Sequence, residues 1–253
     1  MRIIGIIPSR MASTRLPGKP LLDICGKTMI QRVWEAAKKS NIITRIVIAT
    51  DDTGILENCI SFGAECVLTP AELPSGTDRI MFAYNSLEEN ADIVVNIQGD
   101  EPLLHGSIID SLLSDFLHTQ FDVGTVISPI NSNEDLINSS IVKVDINSDK
   151  TAKIFSRKPV PEFHQIPKSN WLNHQTYFKH IGIYAYKIEA LKKFVSLPVS
   201  EWEMKEQLEQ LRLLEAGAKF YCHLTNANLI GVDTPEDLIR VRDYFSKEID
   251  LNS

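Results

Sequence analysis

An apolar run, Ile3-Ile4-Gly5-Ile6-Ile7, stops at Pro8 and gives way to Ser9-Arg10-Met11-Ala12-Ser13-Thr14-Arg15-Leu16-Pro17-Gly18-Lys19-Pro20, and an amphipathic segment opens near Thr28. That order predicts a strand, a basic loop and a helix. In an open α/β sheet, ligands bind outside the carboxyl ends of the strands, where this loop would lie. Between Arg10 and Lys27 stand four cations (Arg10, Arg15, Lys19, Lys27) and one acid, Asp23, whereas the chain as a whole carries a formal charge of −7. A local reversal of sign in an acidic protein points to an anionic ligand. Arginine, lysine and the hydroxyls of Ser13 and Thr14 suit phosphate oxygens, and prolines stiffen the loop. The stretch reads as a triphosphate clamp.

Two familiar phosphate loops are excluded. A P-loop needs glycine five residues before its Gly-Lys and a hydroxyl directly after it. Gly18-Lys19 has Ser13 before it and Pro20 after it, and Gly26-Lys27-Thr28 has Leu21 where the first glycine belongs. No Gly-x-Gly-x-x-Gly follows the first strand, so the dinucleotide fingerprint is missing too.

At 253 residues the chain can form one domain, and its 43% hydrophobic and 23% charged composition is that of a soluble globular protein. The acidic balance argues against nonspecific partnership with nucleic acid or an anionic membrane. The apolar run before Pro8 is too short for a signal peptide, and no later stretch reaches the length of a membrane span. Cys25, Cys59, Cys66 and Cys222 lack metal or redox spacing and are expected as free thiols in a cytoplasmic protein.

Down the chain, Met29, Ile30, Val33, Trp34 and Ala37 recur at helical spacing, and Arg45 to Thr50 reads as a buried strand, completing a βαβ start. A third strand is expected near Cys66 to Leu68. Ser75-Gly76-Thr77-Asp78-Arg79 opens a helix running to about Leu87; its hydroxyls suit a cap, and its glycine would also let backbone approach a nucleotide base. Ala91 to Ile97 is nearly all apolar, as a central parallel strand should be, and delivers Gln98-Gly99-Asp100 to the same sheet edge as the basic loop. A carboxylate beside phosphates suits Mg²⁺, so Asp100 is a candidate metal ligand. A helix is expected over 106–118 and a strand over 123–128. The region from about 131 to 186 reads as a β-rich insertion, with Lys158 to Asn173 a long flexible excursion of the kind that forms lids.

Within this half, Arg157 could bind a carboxylate through paired hydrogen bonds. His180 and Tyr184 share a strand face by two-residue periodicity. Glu209 and Gln210 lie on a helix expected over Gln207 to Arg212, where Glu209 and Arg212 could simply pair at i,i+3. Near the carboxyl end, Thr234, Pro235, Glu236 and Asp237 are explained by helix initiation. Asp233 is not needed for it and is the second candidate metal ligand.

The ordered series Arg10 to Leu21, Ala49-Thr50-Asp51, Ser75 to Arg79, Asn96 to Pro102, Phe155-Ser156-Arg157, His180 to Tyr184, Leu208 to Arg212 and Gly231 to Leu238 resembles the 3-deoxy-manno-octulosonate (Kdo) cytidylyltransferases from end to end. Met11 replaces an aromatic residue often found in their first loop. The resemblance implies one nucleotide-diphospho-sugar transferase domain over 1–253, a Rossmann-like α/β fold whose mixed sheet is mainly parallel. Residues 131–217 would form an inserted sugar-binding and dimerisation portion. The implied reaction joins CMP from CTP to Kdo, an acidic eight-carbon sugar, releasing pyrophosphate for lipopolysaccharide biosynthesis. Lys19, Asp100 and Asp233 would be catalytic, with Mg²⁺ on the two aspartates. Arg10, Arg15, Lys19, Ser75, Gly76, Arg79 and Gln98 would contact nucleotide, and Gln98, Arg157, His180, Tyr184, Glu209 and Gln210 the sugar. A homodimer is expected on the same ground. Departures around Lys158-Pro159-Val160-Pro161 and Glu201 to Lys205 leave open another acidic sugar, such as the 8-amino analogue, and an inactive nucleotide-binding regulator is the remaining alternative.

Overall fold

Each long apolar run becomes a strand. In the computed structural model, which describes residues 1–12, 15–227 and 229–252 (248–252 by backbone alone), the chain begins with β1 (Ile3–Ser9), β2 (Asp23–Ile24) and β3 (Lys27–Thr28). Then follow α1 (Met29–Ala37), β4 (Arg45–Thr50), α2 (Thr53–Ser61), β5 (Glu65–Leu68), α3 (Gly76–Ser86), β6 (Ile93–Ile97) and α4 (Gly106–Phe116). The five apolar residues expected to define the first helix are all buried in α1, whose amino end is capped by the Thr28 hydroxyl.

The chain divides into one unit of Met1–Asp110 with Leu229–Ser253 and a second of Ser111–Asn228. In the first, the strands run in the order β6-β1-β4-β5, all parallel. Ser9 pairs with Thr50 and Thr50 with Leu68, so these strands end level and their following loops emerge at one edge. Ile4, Ile6, Ile7, Val94, Val95 and Ile97 are all fully buried, which accounts for unbroken apolar runs in place of alternation.

The second unit contains β7 (Val123–Pro129), α5 (Asn133–Ile137), β8 (Lys143–Ile146), β9 (Ala152–Ser156), α6 (Trp171–His174) and β10 (Phe178–Lys187). It continues with α7 (Ile188–Ser196), α8 (Glu201–Glu206), α9 (Gln210–Glu215) and β11 (Phe220–Leu224). β11 is parallel to β7, while β7 with β10, β10 with β8, and β8 with β9 pair antiparallel. α10 (Pro235–Asn252) belongs to the first unit.

Two local expectations change. The helix expected over Gln207 to Arg212 is broken: Gln207 takes the left-handed conformation at φ 54°, closing α8, and α9 begins at Gln210 with Glu209 at its N-cap. Arg212 forms a bidentate ion pair with Glu203 of α8, at 2.6 and 2.7 Å. The excursion after Lys158 is anchored by a small apolar core. Trp171 and Tyr177 are buried with Ile130 and Leu136, Phe163, Ile166 and Leu172 pack against them, and the Trp171 indole donates to the Ile166 carbonyl at 2.8 Å.

Candidate active site

The first unit concentrates its charges after β1, after β6 and before α10. Gly18, at φ 68°, makes the left-handed turn that a side-chain-bearing residue resists, and the following Lys19–Leu21 forms a single 3-10 turn with Pro20 buried. This turn carries the Lys19 side chain to the Asp100 carboxylate at 2.6 Å and to Asp233 at 3.2 Å. Arg15 reaches the same Asp233 oxygen at 3.1 Å. Arg10 is exposed at the end of β1, and Ser13 and Thr14 lie outside the described residues.

Backbone packing explains why residues so far apart in sequence meet. A Cβ on Gly99 would stand 3.0 Å from the Pro8 carbonyl oxygen, so glycine is what lets the loop after β6 lie against the end of β1. The Val232 amide donates to the Asp100 carbonyl at 2.9 Å, setting the two metal candidates side by side. Downstream, the Thr234 hydroxyl caps α10 at the Asp237 amide, and the Asp237 carboxylate returns bonds to the Asp233 and Thr234 amides. This reciprocal cap fixes the backbone that aims Asp233.

Burial alone would push the Lys19 ammonium down, but Asp100 and Asp233 outweigh it and the pKa is raised, so Lys19 stays charged at neutral pH. The two carboxylates fit a hard divalent cation: they offer acceptor-only oxygens that already converge on one positive charge. Among the described residues no cluster of three or more His, Cys, Asp or Glu could form a fuller protein cage. Such a pair, completed by phosphate oxygens and water, is the donor set Mg²⁺ favours.

The nucleotide-side candidates divide by burial. Ser75 caps α3 through the Asp78 amide at 3.1 Å, and Gly76 is the first residue of that helix. Arg79 is buried, with its guanidinium committed to Asp51 at 3.1 Å, to the Thr69 hydroxyl and to the Pro70 carbonyl. It therefore supports the α3 entrance and the end of β4 from beneath. One oxygen of Asp51 and the hydroxyl of Ser9, both buried, find no partner among the described residues, and each lies at the carboxyl end of a strand. Gln98 is half-buried and donates to the Asn96 side chain at 3.3 Å.

The sugar-side candidates lie in the second unit. A bulge between Ile181 and Tyr184 places His180 opposite Ile127 and Tyr184 opposite Thr125 on β7. In a regular strand residues four apart would be separated by about 13 Å; the bulge brings the two rings to 5.1 Å. They share a face, as expected, but at contact distance. Burial pushes the His180 imidazole down to about 3, so it is neutral at physiological pH, and burial with the neighbouring Tyr186 and Glu209 raises the Tyr184 phenol well above its usual value. Glu209 and Gln210 stand at the start of α9, Gln210 fully within the core.

Arg157 is more constrained than a free carboxylate receptor. Its guanidinium donates to the carbonyls of Glu206 at 2.8 Å, Ser139 at 3.2 Å and Gln207 at 3.3 Å, and its own amide donates to the Glu206 carboxylate at 2.9 Å. Behind it Lys143, fully buried and pushed down to about 8 by that burial, donates to the Arg157 carbonyl at 3.1 Å and the Ile141 carbonyl at 2.8 Å. Each terminal nitrogen of Arg157 keeps a second N–H. A buried lysine clamped to carbonyls was not among the residues the sequence singled out.

A parallel sheet with a basic loop after its first strand and a lysine shared by two carboxylates suits a nucleotidyltransferase. Residues 4–220 match the cytidylyltransferase family, and the chain belongs to it. It is 43% identical to the 3-deoxy-manno-octulosonate cytidylyltransferase of Parabacteroides distasonis over 94% of this chain and 96% of that one. Identity to the enzyme of the same name from Chloroherpeton thalassium is 42%, covering 98% and 100%. A solved CMP:2-keto-3-deoxy-manno-octonic acid synthetase, complexed with CTP, superposes with a TM-score of 0.89 at 37% identity, covering 98% of this chain and 100% of that one.

Proposed function

We propose that this chain transfers CMP from CTP to the anomeric hydroxyl of 3-deoxy-D-manno-octulosonate, giving CMP-Kdo and pyrophosphate for lipopolysaccharide biosynthesis in the cytoplasm. The observation that carries this reading is the convergence of Lys19, Asp100 and Asp233, from three separate stretches, beside the basic loop. The nearly full-length identity to proteins bearing that activity's name supports the choice of nucleotide and acceptor.

In this mechanism Arg10, Arg15 and Lys19 neutralise the triphosphate, and Lys19 follows the negative charge that grows on the leaving pyrophosphate. Asp100 and Asp233 would hold Mg²⁺, which when bound would supply Lewis-acid charge to lower the hydroxyl's pKa and to stabilise the departing group. The sugar hydroxyl attacks the α-phosphorus in line with the leaving oxygen. Arg157 turns its remaining N–H pair to the sugar carboxylate, and His180, Tyr184, Glu209 and Gln210 read hydroxyls. Ser75 and Gly76 present the α3 entrance to the base, with Arg79 holding it from below. Gln98 contacts sugar or nucleotide.

A homodimer belongs to the same reading. Val199, Trp202 and Met204 are large apolar side chains left exposed on and just before α8, apolar area that burial against a second copy would remove from water. The acceptor is tested by ³¹P NMR of mixtures containing CTP, Mg²⁺ and Kdo, its 8-amino analogue or sialic acid. A new phosphodiester resonance with Kdo is expected. Product with the amino analogue and none with Kdo would reassign the acceptor.

A further inference from the structure

The bulge in β10 leaves the Ile183 carbonyl out of register with β7, and the hydroxyl of Thr125 donates to it at 2.8 Å. The same Thr125 oxygen lies 2.9 Å from His180 Nε2. A threonine hydroxyl has one proton. With that proton spent on Ile183, the second contact closes only if Nε2–H of His180 donates to the threonine oxygen. Phe155 meets the imidazole edge-on at 5.3 Å and Tyr184 packs at 5.1 Å, so ring rotation is restricted from two sides.

We propose that Thr125 is a positioning residue that holds His180 in the Nε2–H tautomer, leaving Nδ1 as a lone-pair acceptor for a sugar hydroxyl. The proposal deepens the reading of His180 as a sugar contact and rests on it. Its consequence is directional: His180 accepts from the sugar and never donates to it, so it discriminates a hydroxyl from a group with no proton to give. A neutral ring is required throughout, consistent with the depressed basicity that burial imposes.

The test is ¹⁵N-histidine NMR of the full chain with Thr125→Val, Thr125→Ser and His180→Gln variants, the last assigning the resonance. Wild type and Thr125→Ser are expected to show a protonated Nε2 and a lone-pair Nδ1, and Thr125→Val to lose that pattern. KM for Kdo is expected to rise roughly tenfold in Thr125→Val, the scale of one lost hydrogen bond, with KM for CTP unchanged and Thr125→Ser restoring it. A wild-type ring protonated at Nδ1 would overturn the proposal even if Thr125→Val failed to fold. A tautomer change that left KM for Kdo untouched would preserve the hydrogen-bond chain but overturn the sugar contact on which the proposal rests.

Discussion

Lys19 and Arg15 both pair with Asp233, yet they differ in consequence because they differ in burial. The Lys19 side chain is 16% exposed and bridges two carboxylates, whereas Arg15 is 54% exposed and touches one. Lys19→Met removes the charge facing the reacting phosphates, and a fall in turnover of roughly 10²–10³ is expected, the range seen when one preorganised electrostatic group is lost. Arg15→Ala should act chiefly on KM for CTP; steady-state kinetics separate the two. His180 gives a second residue-scale expectation. Its unfolded imidazole takes up a proton near 6.5 and its folded one only at about 3, so between those values the unfolded chain binds more protons and stability falls as pH drops. Urea melts from pH 7 to 4 should show a shallower acid loss for His180→Phe than for wild type. Equal slopes would mean that the folded imidazole titrates normally.

At the scale of elements, the pairing of Glu203 with Arg212 joins α8 to α9 with both side chains almost out of water. Glu203→Ala takes the bidentate partner away from a buried guanidinium and should cost about 3–5 kcal/mol in chemical denaturation. This bridge also shows what was and was not legible. The strand at Arg45–Thr50 and the cap at Thr234 were readable from local apolar runs and turn chemistry alone. The break at Gln207 was not: glutamine is an ordinary helix former, and its left-handed geometry follows from tertiary packing. Gly182 inside the strand His180 to Tyr184 did carry a signal, since an isolated strand glycine marks a bulge. The two-residue periodicity put the rings on one face, but only the bulge brings them into contact. In the same way, Arg79 was legible as part of a motif and not as a buried anchor, because its partner Asp51 lies 28 positions away.

For the whole molecule, the sequence's strongest statement was a cationic loop in a chain of net charge −7. The structure places that loop against its own carboxylates, so the candidate site holds paired charges of both signs. Asp100 and Asp233 are already satisfied by Lys19 and Arg15, so chelation should stop chemistry without unfolding the protein. Excess EDTA is expected to abolish turnover and leave the thermal midpoint of the nucleotide-free protein unchanged. The role of the paired carboxylates in turnover is read from pyrophosphate release from CTP and Kdo in Mg²⁺, comparing wild type with Asp233→Ala at matched folded concentration. Release by wild type and a loss of several orders of magnitude in the variant are expected. Full release by Asp233→Ala, or none by wild type despite bound CTP, would contradict that expectation.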